Sequence, residues 1–152
     1  MSVEETLHEV VRGHNLLHIA TLDADGNPCV RGVDYAVGDQ DNILYFVTRK
    51  DSRKVEQILK NGNVAVAVDH DCPEWDDLQQ LKYFKGTGTA TKIEDPEEMQ
   101  KAFGLLIQKF PFIENLSGDP TDFVAIKVGL KEVFVTDNTI SFAHTEKVNF
   151  SE

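Results

Sequence analysis

Seven consecutive residues, Thr48-Arg49-Lys50-Asp51-Ser52-Arg53-Lys54, hold four of the chain's fifteen basic side chains. They follow an apolar, β-branched and aromatic run, Ile43 to Val47, and precede a segment with helical spacing. Arg53 and Lys54 fall in the first turn of that segment. A helix N-terminus already carries partial positive charge, so each cation there is unfavourable by roughly 0.3–1 kcal/mol. The simplest compensation is a bound anion, held by the free N–H groups of the first turn, the Ser52 hydroxyl and the two cationic side chains. A phosphate fits best. A solvated basic patch on a helix is the competing reading, and charge alone does not separate the two.

The elements that must position this stretch are legible in the pattern. The spacing predicts a strand over Ile43 to Thr48, a tight loop, and a helix with Val55, Ile58 and Leu59 on one face. Ser52 is the expected N-cap and Gly62 the expected C′ residue. Upstream, Val3 to Arg12 predicts an amphipathic helix, Leu16 to Leu22 a strand, and Cys29 to Val37 a second strand after an Asp-Gly turn. Downstream, Asn63 to Asp69 is a compact strand, and Asp69 to Gln80 an acidic loop carrying the single tryptophan, Trp75. Leu81 to Ile93 is a long strand interrupted by Gly86 and Gly88, which mark a bulge or a close backbone approach. Asp95-Pro96-Glu97-Glu98 starts a helix. Its stripe, Met99, Ala102, Phe103, Leu106, Ile107 and Phe110, reads as core rather than a cofactor contact. Asp122 to Val128, Glu132 to Thr136 and Thr139 to His144 predict the last strands. About seven strands follow one another through short turns, without regular βαβ alternation. That favours a mainly β (α+β) fold: a closed or split antiparallel barrel with three peripheral helices, in one domain over residues 1–152.

Composition narrows the function classes. The chain has 152 residues and a net charge of −11, which argues against duplex nucleic acid as a partner. No apolar run approaches the roughly 18–20 residues that span a bilayer, so no membrane is expected. The acidic start, Met1-Ser2-Val3-Glu4-Glu5, has no secretory pattern. Cys29 and Cys72 then read as reduced thiols, and a cytoplasmic location is the expectation.

Three sequence features together resemble the pyridoxamine 5′-phosphate oxidase-like family of FMN-binding split β-barrels. They are IATLDADGNPCVRGVDY, YFVTRKDSRK, and the short helix followed by NGNVAVAVD. The resemblance covers about the first half of the chain; the second half matches in element order. It implies that Ser52, Arg53 and Lys54 grip the flavin phosphate, with Arg31 near the phosphate or the ring edge. Arg31, Gly32, Val33 and Asp34 would run alongside the isoalloxazine, Val47 and Thr48 would line the other side, and Arg49 would be a further cofactor-binding residue. It further implies a twofold homodimer with the flavin at the interface. The Gly86-Thr87-Gly88 strand, the Trp75 loop and Phe142-Ala143-His144 are the candidates for completing the pocket from the second copy.

The amine-oxidising members of that family end in a Trp- and Arg-containing segment, whereas Ser141 to Glu152 has neither. Oxidation of pyridoxamine phosphate is therefore not implied. An FMN-dependent oxidoreductase passing hydride or electrons to a small acceptor is the first reading. A non-catalytic flavin-binding electron carrier or redox sensor is the second, and a haem- or deazaflavin-binding member of the same fold the third. No catalytic residue is assigned.

Other reactive residues read blandly. His14 and His18 are four apart but follow the predicted helix end at Gly13, so no metal site is expected. His144 reads as a surface or packing histidine. The acidic loop around Asp69, Asp71, Glu74, Asp76 and Asp77 lacks the features of a calcium loop. Neither cysteine has a neighbour that would activate it.

Overall fold

A computed structural model describes residues 1–150. Helix α1 (Val3–Gly13) opens with a capping box between Ser2 and Glu5. Strands β1 (Leu16–Leu22), β2 (Pro28–Asp34), the two-residue β3 (Ala36–Val37) and β4 (Ile43–Arg49) lead to helix α2 (Arg53–Lys60). Then come β5 (Asn63–Val68), the short helix α3 (Trp75–Gln79), β6 (Lys82–Lys92), α4 (Pro96–Lys109), two 3₁₀ turns, β7 (Phe123–Asp137) and β8 (Thr145–Asn149). All pairings are antiparallel, in the order β2-β1-β5-β6-β7-β4-β3, with β8 added to β7. The fold is the expected split β-barrel. The two ends of this strand order, β2 and β3, are consecutive in the chain, so the split is bridged by the single residue Tyr35.

Period-two alternation fills the barrel. Leu17, Ile19 and Thr21 of β1 point inward, as do Leu44 and Phe46 of β4, Phe84 of β6, and Ile126 and Val128 of β7. Leu7, Val10 and Val11 of α1 close one part of this core, and Val55 and Ile58 of α2 another. A second cluster lies outside the barrel, where Ala102, Leu106 and Phe110 of α4 pack on Tyr45 and Ala125. The α4 stripe is thus core along that face. Its Met99, Phe103 and Ile107 also line a cleft of about 400 Å³.

Several expected boundaries move. The strand predicted over Cys29 to Val37 breaks at Tyr35, whose buried ring turns into the core and whose hydroxyl donates to the Val11 carbonyl at 2.5 Å. The acidic loop contains α3. Leu59 is 62% exposed, and Gln57 takes the buried position at 7%. Gly62 has no left-handed backbone. A Cβ there would lie 2.8 Å from the Ala90 carbonyl, so the close approach of β6 is what requires glycine. The two strands expected over Asp122–Val128 and Glu132–Thr136 are one 15-residue strand, β7. Its continuity is kept by a bulge: Thr87 faces Glu132 and Gly88 faces Leu130, leaving Lys131 out of register. At Gly86 and Gly88 a Cβ would meet the β7 carbonyls of Glu132 and Gly129 at 2.2 and 2.7 Å. The close approach there is by β7 itself. The last strand is not Thr139 to His144 but β8. Asp137 accepts from the Thr139 backbone at 2.9 Å, which turns the chain, and Ala143 adopts φ 63° before pairing resumes.

Candidate anion-binding site

The corner between β4 and α2 is built by backbone bonds. Lys50 N–H donates to the Asp122 carbonyl at 2.9 Å, and Ser52 N–H donates to the Arg49 carbonyl at 3.2 Å. Ser52 stands at the N-cap with extended backbone, φ −75° and ψ 154°, yet its side chain makes no capping bond. Its Oγ is buried without a hydrogen-bond partner. Among the described residues it is the one buried side-chain polar atom in that condition. An unpaired buried hydroxyl costs about 1–3 kcal/mol unless something arrives to pair it. One turn on, Lys54 Nζ donates to Thr48 Oγ1 at 2.8 Å. Burial lowers the Lys54 ammonium's pKa, and the nearby Arg31 guanidinium lowers it further.

Arg31 reaches this corner from β2. Its guanidinium donates to Thr21 Oγ1 at 2.6 Å, to the Cys29 carbonyl at 2.9 Å and to Gln57 Oε1 at 3.3 Å. Thr21 also donates to Gln57 Oε1 at 2.5 Å. Burial lowers the Arg31 pKa, and Arg53 acts on it in the same direction. Among the described residues no carboxylate is bonded to Arg31. Two half-buried cations, an orphaned hydroxyl and the free N–H groups of an eight-residue helix therefore converge on one place. Their shared property is affinity for a compact anion bearing several acceptor oxygens. No nucleophile paired with a base stands among them.

Residues 3–137 match the pyridoxamine 5′-phosphate oxidase family profile. The chain belongs to the pyridoxamine 5′-phosphate oxidase family. Solved structures agree on the fold. A haem-binding protein from Mycobacterium smegmatis superposes with TM-score 0.80 at 15% identity, over 98% of this chain and 58% of that one. This chain therefore spans little more than half the length of that protein. HutZ, the haem storage protein of Vibrio cholerae, gives TM-score 0.73 at 21% identity, over 89% of this chain and 95% of that one. General Stress Protein 26 of Bacillus anthracis gives 0.68 at 21%, over 99% of this chain and 100% of that one.

On this family's barrel, the residues singled out in the sequence divide. Arg31, Thr48, Ser52 and Lys54 meet at the corner. Arg53 lines an adjoining cleft with Asp23, Asp25 and Gln57, close enough to Asp23 to help hold that carboxyl below the ordinary range, after the bonds Asp23 accepts from Asn27 and Asp25. Val47 faces the other way from Thr48, into the second cluster and the apolar cleft beside α4. Val33 packs against the barrel core, whereas Gly32 and Asp34 are exposed on the outer side of β2. Arg49 is exposed, bridged to Asp51 at 3.4 Å and lying over the Phe123 ring.

Two residues of the corner were missed in the sequence, Thr21 and Gln57. Signals for both exist. Period two places Thr21 inside with Leu17 and Ile19, and Gln57 is three residues after Lys54, on the same face of α2. Of the candidate second-copy residues, Thr87 and Gly88 line a cleft that Thr21 also lines. Trp75 and Phe142 are exposed, His144 faces Glu146 at 3.3 Å, and the Gly86–Gly88 strand is packed on β7. His14 pairs with His70 rather than with His18, which faces Asp69 at 3.5 Å. Among the described residues no three His, Cys, Asp or Glu side chains converge as a metal cluster. No described helix is long and apolar enough to cross a membrane.

Proposed function

We propose that this protein binds FMN by its phosphate at the β4–α2 corner and acts as an FMN-dependent oxidoreductase toward a small electron donor or acceptor. The observation that carries the reading is the buried, unpartnered Ser52 hydroxyl at the start of α2, beside the crowded cations Lys54 and Arg31. A phosphate dianion would satisfy the hydroxyl and relieve the mutual repulsion of the cations at once. Ser52, Arg53, Lys54 and Arg31 would hold it, with the Thr48 hydroxyl, already accepting from Lys54, free to donate its proton to a phosphate oxygen. When bound, the flavin supplies hydride and electron transfer, and the protein's part is to bind, orient and shield it. Arg31, Gly32, Val33, Asp34, Val47 and Thr48 are proposed to flank the ring, with Arg49 a further cofactor-binding residue. Belonging to this family also supports a homodimer whose second copy completes the pocket.

Titration of ligand-free protein with FMN and with riboflavin tests the reading. FMN is expected to bind at least tenfold more tightly, and Arg53→Ala with Lys54→Ala is expected to erase the difference while the fold survives. Equal affinity for the two flavins, or unchanged flavin content in the double variant, rejects the phosphate assignment. Turnover with a reduced nicotinamide and a panel of acceptors separates an oxidoreductase from a flavin-binding carrier or sensor.

Haem is the second reading, favoured by the likeness of the fold to the Mycobacterium smegmatis and Vibrio cholerae haem proteins. The same cations would then face a propionate. Mass spectrometry of the copurifying small molecule under native conditions distinguishes the two.

A further inference from the structure

The C-terminal end of α1 and the chain leaving β5 meet over a cavity of about 350 Å³ whose lining includes Glu9, His14, His70, Gln80 and Lys82. It is formed by other residues than the anion corner. His14 Nδ1 lies 2.8 Å from the Val10 carbonyl oxygen. A carbonyl only accepts, so Nδ1 carries the proton and the neutral ring presents the Nε2 lone pair. His70 Nδ1 stands 3.1 Å from that Nε2, with the ring centres 5.3 Å apart and the planes 23° from parallel. His70 therefore donates, and a single proton joins the two imidazoles.

We propose that His14 and His70 form a two-histidine binding site for a divalent transition ion, with Zn²⁺ as the best-matched chemistry. The spacing is already close to that of ligands. Two nitrogens about 2.0–2.1 Å from a tetrahedral zinc ion lie about 3.3 Å apart, so a few tenths of an ångström and a turn of both rings off the N···N line, the larger part by the exposed His70, open the seat. The bond from His14 Nδ1–H to a backbone carbonyl is the outer support that fixes a ligating histidine's tautomer and raises its basicity. Binding moves the His70 proton from Nδ1 to Nε2, with no net proton release and no electron transfer. Water fills the remaining positions. Glu9 also lines the cavity, where it is paired with Lys82 at 3.3 Å. The site lies away from the proposed flavin corner and stands or falls independently of it.

Calorimetric titration of the full chain with Zn²⁺ alone, at pH 7.5 in a non-chelating buffer, tests the proposal. One saturable equivalent is expected, weakened at least tenfold in His14→Gln and in His70→Ala. It is expected to be unchanged in His8→Ala, whose imidazole is engaged by Asp41 at 2.9 Å. Since His14 is partly enclosed, nitrogen NMR of the unmodified protein provides a second reading: Zn²⁺ should shift His14 Nε2 and His70 Nδ1 selectively. No saturable binding, equal affinity in His70→Ala, or shifts spread evenly over all five histidines would overturn the proposal.

Discussion

Lys54 Nζ donates to Thr48 Oγ1 at 2.8 Å, tying the first turn of α2 to the last turnward residues of β4. The bond holds an ammonium in a half-buried place already occupied by Arg31. Its pKa is lowered, so the folded state opposes its charge: burial is the first cause, Arg31 the second. The sign follows. A lysine whose folded pKa lies below its unfolded value penalises folding fully below the folded pKa. That penalty fades as pH rises toward the unfolded value of about 10.4. Lys54→Met is therefore expected to raise the melting temperature of the ligand-free protein near neutral pH, with the gain shrinking in alkali. FMN at a hundred times its Kd should add about 2.7 kcal/mol to the parent protein, an upward shift of about 5–10 °C, and little to the variant. Differential scanning calorimetry at pH 7 and pH 10 reads both; a variant that melts lower at pH 7 contradicts the assignment.

Gln57 holds Arg31 and Thr21 through one oxygen, Oε1. Gln57→Leu keeps the volume but leaves both donors short of an acceptor in a half-buried place, at a cost of about 1–3 kcal/mol. The further expectation is a roughly tenfold loss of FMN affinity, because Arg31 loses one of the bonds that aim it. Glutamate at this position should instead clamp Arg31 and compete with the phosphate. Fluorescence titration of the two variants separates these effects, and full affinity in both would show that Arg31 needs no aiming.

Tyr35 is fully buried, and burial pushes its phenol pKa well above the usual range. Its hydroxyl donates to the Val11 carbonyl, while Lys109 Nζ donates to the Tyr35 carbonyl at 2.9 Å and sits 4.4 Å from the ring centre. Tyr35→Phe leaves the Val11 carbonyl without that donor. The expected loss is about 1–3 kcal/mol, or about 2–10 °C in melting temperature for a chain of this size. Urea unfolding should show a lower midpoint at unchanged slope.

Two glycines make opposite predictions. A Cβ on Gly86 would lie 2.2 Å from the Glu132 carbonyl oxygen, a backbone atom that cannot step aside. Gly86→Ala should cost about 3 kcal/mol or more and push strands β6 and β7 apart. A Cβ on Gly104, in the exposed face of α4, meets nothing within 4 Å. Gly104→Ala should stabilise by about 0.5–1 kcal/mol through helix propensity and chain entropy. Thermal melts of the pair check both signs.

The barrel was legible because its strands alternate and the turn between β1 and β2 carries Asp-Gly chemistry, with Gly26 at φ 83°. The strand–turn–helix corner was legible for the same reason, with Ser52 and Pro96 marking helix starts. What escaped depended on contacts between distant segments. Helical spacing puts Gln57 on the face of Lys54, but its burial in place of Leu59 is decided by Thr21 and Arg31 arriving from β1 and β2. The gap between Val128 and Glu132 looked like a break between two strands, yet β7 takes up Lys131 as a bulge of its own against β6 and runs on. The Phe142 region looked strand-like from composition, but the side-chain bond at Asp137 turns the chain first. His14 was paired in sequence with His18, four residues away, while the fold gives it His70.

The cradle's cations rest on unequal foundations. Strand β4, which ends at Thr48 and Arg49, is zipped along its whole length to β7, and β7 is held at the same time by β6 and, beyond Lys131, by β8. Strand β2, which carries Arg31, is bonded on one side only, to β1. Amides of β7 should thus be among the last to exchange with solvent, and those of β2 among the early ones. One wall of the seat is a fixed anvil and the other a fraying hem, and a guest molecule would be recorded as slowed exchange in the hem.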